Sequence, residues 1–172
     1  MLKKASIVLM FALIFLLQNY ANAGDAFFKG GIIVSPAKDI SLKYRWRVSF
    51  GSDYMNWDQL GIGFEVHMAY SSETIDEDTF HYIPLNIFVN VKYKMAKEGV
   101  RPYGGGGIGM LSTMIFDGGS HWDKRAGIHF MGGAEFGSLE QTAFVAELQL
   151  VKPISGTGSK DLEVHLYAGI KW

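Results

Sequence analysis

Gly104, Gly106 and Gly109 stand at the G-x-G-x-x-G spacing inside RPYGGGGIGM, residues 101–110. In a dinucleotide-binding enzyme such glycines let the backbone close on a pyrophosphate held at a helix N-terminus. His67, His129 and His165 supply three imidazoles, enough for a zinc centre that keeps an open fourth position. Ser120-His121 sets a hydroxyl beside a base, two parts of an acyl-transfer site. Each chemistry makes a demand on the scaffold. The glycines need a strand before them and a helix after them. The histidines need elements that converge. The Ser–His pair needs a third group and a geometry that adjacency does not set.

The 172-residue chain opens with MLKKASIVLMFALIFLLQNYANA. Lys3 and Lys4, an apolar run from Ile7 to Leu17, and the small residues Ala21 and Ala23 read as a secretory signal peptide over residues 1–23. The run is too short for a spanning helix, which takes about 20 apolar residues. The mature chain is expected to start at Gly24 and to form one domain, residues 24–172. Cleavage removes two of the 16 basic residues and none of the 17 acidic ones, so the formal charge moves from −1 to about −3. Nothing in that balance points to a nucleic-acid partner. With no cysteine, an exported domain is held by its fold alone. The 21 glycines and 14% aromatic residues suit a barrel better than a helical bundle.

Past Gly24 the pattern is period-2 alternation in segments of about ten residues divided by turn signals. Strands are expected near 27–35, 41–50, 60–70, 80–94, 100–112, 124–137, 142–152 and 164–172. In the second, Leu42, Tyr44, Trp46, Val48 and Phe50 share one face and Lys43, Arg45, Arg47 and Ser49 the other. In the last, Val164, Leu166, Ala168, Ile170 and Trp172 oppose His165, Tyr167, Gly169 and Lys171. A turn is expected to open at Gly51-Ser52-Asp53, an acidic loop over SSETIDEDT (71–79), and a longer loop over TMIFDGGSHW (113–122). No segment carries a helical pattern, and none follows Gly109. The economical solution is all-β, an eight-stranded antiparallel up-and-down barrel.

Alternation alone leaves open which face points outward. A secreted lipocalin-like carrier is also an eight-stranded barrel, with apolar residues inside. Here the apolar face is nearly free of charge across all eight segments. Its aromatics, Tyr44, Trp46, Phe50, Tyr93, Phe136 and Trp172, gather near segment ends as an interfacial girdle requires. The expected barrel is therefore transmembrane, with lipid against the apolar face and the charges in the lumen.

The segments YIPLNIFVNVKYK (82–94), RPYGGGGIGM (101–110), AGIHFMGGAEFG (126–137), FVAELQL (144–150) and VHLYAGIKW (164–172) run through the mature chain in this order. Together they resemble the small bacterial outer-membrane β-barrels of the opacity-protein and OmpA-barrel type. The resemblance implies location in the outer membrane, among its lipid and lipopolysaccharide, and a monomer. It also implies insertion by the outer-membrane assembly machinery, which reads the terminal strand, here Leu166, Ala168, Ile170 and Trp172. It implies no single activity, since such proteins range from adhesins to structural proteins. In this orientation both termini are periplasmic and the outer loops lie near 36–40, 71–79, 113–123 and 153–160.

The expected register sends Lys29, Lys43, Arg45, Arg47, Lys92, Arg101, Arg125 and Lys171 inward against Glu65, Glu135 and Glu147. A barrel of this size is just wide enough to be filled by side chains, and buried charges need partners. Hairpin pairing sets Arg101 opposite Glu135 and brings Arg45 or Arg47 near Glu65, with Glu147 as a third counter-ion. Lys29, Arg47, Lys92, Arg101 and Lys171 fall toward the periplasmic end. The charges are read as a stabilising plug, with a narrow pore for ions or small solutes as the alternative. His67, His129 and His165 come from separate strands without short ligand spacing, so hydrogen-bonded lumen residues are expected and no metal. Gly105, Gly107 and Gly109 face the lumen and leave room for Arg and Lys side chains, so no cofactor is expected. A lipid-modifying enzyme would need a nucleophile and base on the lipid face near the outer rim. No such Ser/His/Glu group is evident, so no catalytic residue is assigned. The expected role is structural or one of surface interaction.

Overall fold

The protein is described here by a computed structural model covering residues 25–34, 45–75, 78–96, 99–116, 120–137, 142–155 and 162–172. The expected signal peptide (1–23), Lys43 and the loop at 36–40 lie outside these residues. Among the described residues all the elements are strands: β1 (Asp25–Val34), β2 (Arg45–Trp57), β3 (Leu60–Ala69), β4 (Ser71–Ile75), β5 (Asp78–Lys94), β6 (Val100–Phe116), β7 (Ser120–Phe136), β8 (Ala143–Pro153) and β9 (Glu163–Lys171). Every pairing is antiparallel. β3 and β4 both pair with β5 and form one stave interrupted at Tyr70, which makes eight staves in all. β1 pairs with β2 on one side and with β9 on the other, so the sheet closes on itself. Closure leaves no strand edge along the span, which a wall in hydrocarbon requires.

Side-chain alternation sets the two faces. Outward positions carry exposed Phe28, Val89, Val91, Ile108, Phe130, Phe144, Leu148 and Leu166, while Lys29, Glu65, Asn90, Arg101, Glu135 and Glu147 are buried inside. This polarity is the reverse of a water-soluble carrier and removes the lipocalin-like alternative. Trp46, Trp57, Trp122 and Trp172 are exposed near strand ends, and Tyr54 stacks on Phe64 at 5.1 Å. Phe50, expected in that girdle, lies mid-strand opposite Phe28 and Val66 and is buried.

Three expected loops are shorter in fact. Gly51-Ser52-Asp53 is not a turn: β2 runs through it to Trp57, with a bulge between Asp53 and Met55. The connection to β3 is Asp58-Gln59, where Asp58 takes φ 54°, a left-handed conformation that Asp tolerates. Gly51 serves packing instead, since a Cβ there would meet the Phe27 ring at 2.6 Å. The acidic stretch is a hairpin, Ser71–Ile75 paired with Asp78 onward, and only 76–77 lie outside the described residues. Likewise β6 and β7 pair as far as Phe116 and Ser120. Polar turn-type residues misled the sequence reading at both hairpins. β8 also runs through Pro153, opposite Gly127, before its loop begins.

Among the described residues the wall is uneven at the rim away from the termini. β7 continues seven residues past Gly127, the last position paired with β8. Among the described residues, β4, β5, β6 and β7 reach farthest from the termini and form a paired lip.

Candidate functional site

Among the described residues most of the chemistry-bearing side chains converge in the lumen, which is layered. Nearest the termini, Lys171 from β9 reaches Glu135 and Asp25 at 2.9 Å and Asp53 at 3.1 Å. Arg101 donates from Nε to Glu135 at 3.2 Å and from Nη1 to the Gly137 carbonyl at 2.7 Å. Lys92 pairs with Asp53 at 3.3 Å, and Lys94 with Asp25 at 3.4 Å. Each carboxylate here is shared between cations, as a desolvated charge requires.

In the middle layer Lys29 Nζ lies between Glu147 at 2.5 Å and Glu65 at 2.7 Å, all three buried. Glu65 also accepts from Asn90 Nδ2 at 3.2 Å, Gln149 Nε2 at 3.1 Å and the Ser49 hydroxyl, with His67 Nε2 at 3.0 Å. Glu147 accepts from the Tyr103 hydroxyl and from Gln149, each at 2.6 Å. The ammonium also stands 4.6 Å from the Phe27 ring centroid and 5.3 Å from that of Tyr167. Six strands, β1, β2, β3, β5, β6 and β8, contribute polar groups to this layer, so it spans the cross-section.

Above it lie the histidines. The His67 ring is 6.2 Å from His129 and 6.3 Å from His165. Each has a protein partner: His67 meets Glu65, His129 Nε2 meets Asn90 Oδ1 at 2.6 Å, and His165 Nε2 meets Glu163 at 2.8 Å. His129 stacks on Phe88 at 4.2 Å, an inward aromatic. No group of three His, Cys, Asp or Glu is arranged to hold a metal among the described residues. Ser120-His121 lies at the start of β7, on the lip.

The sequence-derived network is brought together in part. Arg101 and Glu135 are register partners and bonded, and Lys92, Lys171 and Glu147 lie within the two lower layers. Arg47 is not beside Glu65. It lies in the upper layer with Nη2 3.9 Å from Glu163, because it pairs with Gly31 and Ala69 while Glu65 stands opposite Gly51. It therefore belongs to the half of the lumen away from the termini, not to the terminal end. Lys29, one strand farther round, takes the Glu65 position instead. Arg125 pairs with Asp123 two residues before it and is partly exposed. The side chain of Arg45 lies outside the described residues. Leu166, Ala168 and Ile170 face outward on β9, and Trp172 exchanges backbone hydrogen bonds with Ala26 at 2.9 Å each.

Asp25 and Asp53 escaped the sequence reading, the first as a leading residue and the second as part of a supposed turn. Tyr103 and Tyr167 were legible as inward positions of the alternation. Gly107 and Gly109 do make room, but not for Arg or Lys: a Cβ on Gly107 would meet His129 Nε2 at 2.6 Å, and one on Gly109 the Phe88 ring at 2.7 Å. The G-x-G-x-x-G segment is mid-strand and continues as strand to Phe116. It has no helix to hold a phosphate.

One polar group does stand on the outward face near the uneven rim. Tyr70 Oη meets His81 Nδ1 at 2.8 Å, and Ser72 pairs directly across from His81. Alternation alone does not bring these three together, because Ser72 and His81 meet only through the pairing of β4 with β5.

No curated protein sequence matches the chain. Among solved structures, Neisserial surface protein A matches with a TM-score of 0.62 at 14% identity, covering 86% of this chain and 93% of that one. Ail of Yersinia pestis, solved with the heparin analogue sucrose octasulfate, matches at 0.53 and 11% identity, covering 87% and 97%. The outer-membrane enzyme PagL matches at 0.53 and 13% identity, covering 86% and 97%. These identities carry the fold and not an activity. The model of the outer membrane protein beta-barrel domain family matches residues 7–168. With that match spanning nearly the whole chain, and with a closed eight-stave wall that is apolar outside and charged inside, the chain belongs to the outer-membrane protein β-barrel family.

Proposed function

We propose that this barrel is a sealed anchor that displays its lip at the cell surface. The termini and the short Asp58-Gln59 turn lie on the periplasmic side, and β4–β7 project outward. β9, with Leu166, Ala168, Ile170 and Trp172, is the strand that the assembly machinery reads. The observation that carries the reading is the middle layer of the lumen, where Lys29, Glu65, Glu147 and their donors fill the section with paired charges. A conducting path would need water there, and Lys29, Glu65 and Glu147 are already paired with one another and with protein donors.

The test is a planar bilayer. The purified protein is expected to give no discrete current steps at ±100 mV (on the order of a resting potential) in potassium chloride. Reproducible ion-selective steps from the wild type would establish the pore instead. The lip is the surface for interaction. Its hairpin carries Glu73, Asp76, Glu77 and Asp78 in sequence, so a polyanion such as the heparin analogue bound by Ail does not suit it.

A second reading, an enzyme acting on membrane lipid, is favoured by Tyr70, His81 and Ser72. In the tautomer whose Nδ1–H donates to the Tyr70 hydroxyl oxygen, His81 Nε2 carries a free lone pair and could serve as base for Ser72, its cross-strand neighbour. Incubation with lipid A followed by mass spectrometry decides this: loss of an acyl chain in the wild type but not in Ser72→Ala would make it an enzyme.

A further inference from the structure

Four side-chain contacts run in series through the upper lumen. Glu163 Oε2 lies 2.8 Å from His165 Nε2. His165 Nδ1 lies 3.4 Å from the Tyr167 hydroxyl, which is 3.3 Å from His67 Nδ1. His67 Nε2 stands 3.0 Å from Glu65 Oε1. The Glu163 side chain is 34% exposed, while His67 and Glu65 are fully enclosed. Both imidazoles are thus engaged at both ring nitrogens, and Tyr167 joins them.

The chain is one hydrogen short. A neutral imidazole carries one N–H, a phenol one O–H and an ionised carboxylate none. Two imidazoles and one hydroxyl therefore bring three hydrogens to four contacts. The Glu163 carboxylate takes the hydrogen on His165 Nε2, so His165 Nδ1 is a lone pair for the Tyr167 hydroxyl to fill. Tyr167 then accepts from His67 Nδ1, since the hydrogen bond at one ring nitrogen decides the state of the other. His67 Nε2 is left as a bare lone pair facing a carboxylate oxygen. That nitrogen is buried and makes no hydrogen bond, although Glu65 is in contact with it. The gap between them is the length of a hydrogen bond and admits a hydrogen and nothing larger.

We propose that His67 Nε2 and Glu65 bind one proton, whose charge is shared through Tyr167 and His165 with Glu163. Sharing moves hydrogens only. His67 Nδ1 gives its hydrogen to the Tyr167 oxygen as the hydroxyl gives its own to His165 Nδ1. That leaves His67 neutral, with its hydrogen on Nε2, and His165 cationic. Glu65 and Glu163 favour the added charge, while Lys29 on β1 and Arg47 on β2 oppose it. Glu147 on β8 lies behind Lys29. β5 and β7 face His67 with Phe88 and His129, ring centroids 5.2 and 6.2 Å away, and β6 brings Gly107 to this level. Lys29 approaches the same Glu65 oxygen, so the bound proton competes with it and the centre of the plug responds to acid. Entry needs only the brief local openings by which buried groups exchange with water.

The experiment is nitrogen NMR of the full mature barrel in detergent, with isotope-labelled histidine rings, from about pH 8 to about pH 4, a span that covers shifted imidazoles. Loss of a signal in His67→Asn assigns that ring. In wild type, His67 Nε2 is expected to be without hydrogen at the upper end of the range and to gain one as the pH falls. Glu163→Gln tests the chain from its exposed end. Its amide N–H donates to His165 Nε2, which turns every bond round and supplies the fourth hydrogen. His67 is then expected to carry its hydrogen on Nε2 even at the upper end, so the bare-nitrogen signal is lost. A merely structural role for Glu163 would not move a hydrogen on β3. Tyr167→Phe frees His67 from the hydroxyl that fixes its tautomer and should give the same loss. A wild-type His67 with Nε2–H at the upper end overturns the proposal, as does a nitrogen that stays bare throughout. An unchanged His67 signal in Glu163→Gln overturns the sharing along the chain.

Discussion

Replacing Lys29 with methionine is expected to lower the stability of the barrel by about 3–5 kcal/mol, the usual cost of stripping one partner from a buried ion pair. Methionine keeps the stem and its packing against Phe27, so the loss isolates the charge. Without the ammonium, Glu65 and Glu147 are left in a low-dielectric interior with no cation between them. The remaining donors, Ser49, Asn90, Gln149 and Tyr103, are neutral. The check is urea unfolding in detergent, followed by the gel shift between folded and heated protein. Adding Glu147→Gln to Lys29→Met should recover at least half of the loss, because only one carboxylate then stays buried. A single variant within about 0.5 kcal/mol of wild type, the scatter of an ordinary surface change, would mean that the ion triad does not hold the centre.

The glycines of 104–109 give the second large effect, and it separates two explanations of one motif. Gly107→Ala and Gly109→Ala should each cost about 2–3 kcal/mol, as overpacking in a tight interior does. Their methyl groups would press on His129 and Asn90, or on Phe88, and on the carbonyls of the facing strand. Gly104→Ala is expected to be neutral within about 0.5 kcal/mol, with a gain possible because alanine suits a strand better than glycine. Its added carbon finds nothing nearer than 3.9 Å. A phosphate-binding loop would instead make Gly104→Ala costly and Gly107→Ala mild, since Gly104 would be its tight-turn glycine and Gly107 is no part of the fingerprint. Thermal unfolding of the variants, read on the same gel, ranks them directly.

The wall was legible because alternation writes itself residue by residue. The outward run at Ile87, Val89, Val91 and Tyr93 leaves one register that puts lysine and asparagine inside. Strand ends were less legible. Polar residues at a rim are equally at home in a loop and in a paired hairpin, so Ser71–Ile75 and Ser120–Trp122 gave no signal of pairing. The lumen was legible in composition and only partly in partners. Hairpin geometry names neighbours along the wall, such as Arg101 and Glu135. It does not name partners across the axis, such as Lys29 with Glu65 and Glu147, because shear and side-chain reach decide those.

The seam between β1 and β9 has a consequence for timing. Lys29 and Asp25 sit on the first strand of the wall, while Glu147 and Lys171 sit on the last two. Until the seam zips, Lys29 lacks its closest carboxylate and Lys171 stands apart from Asp25. An open sheet in the membrane would therefore hold stranded charges as well as bare strand edges, and each makes the intermediate costlier. The last pairing step thus does two jobs at once, and half-built barrels are a state that the charge layout itself discourages.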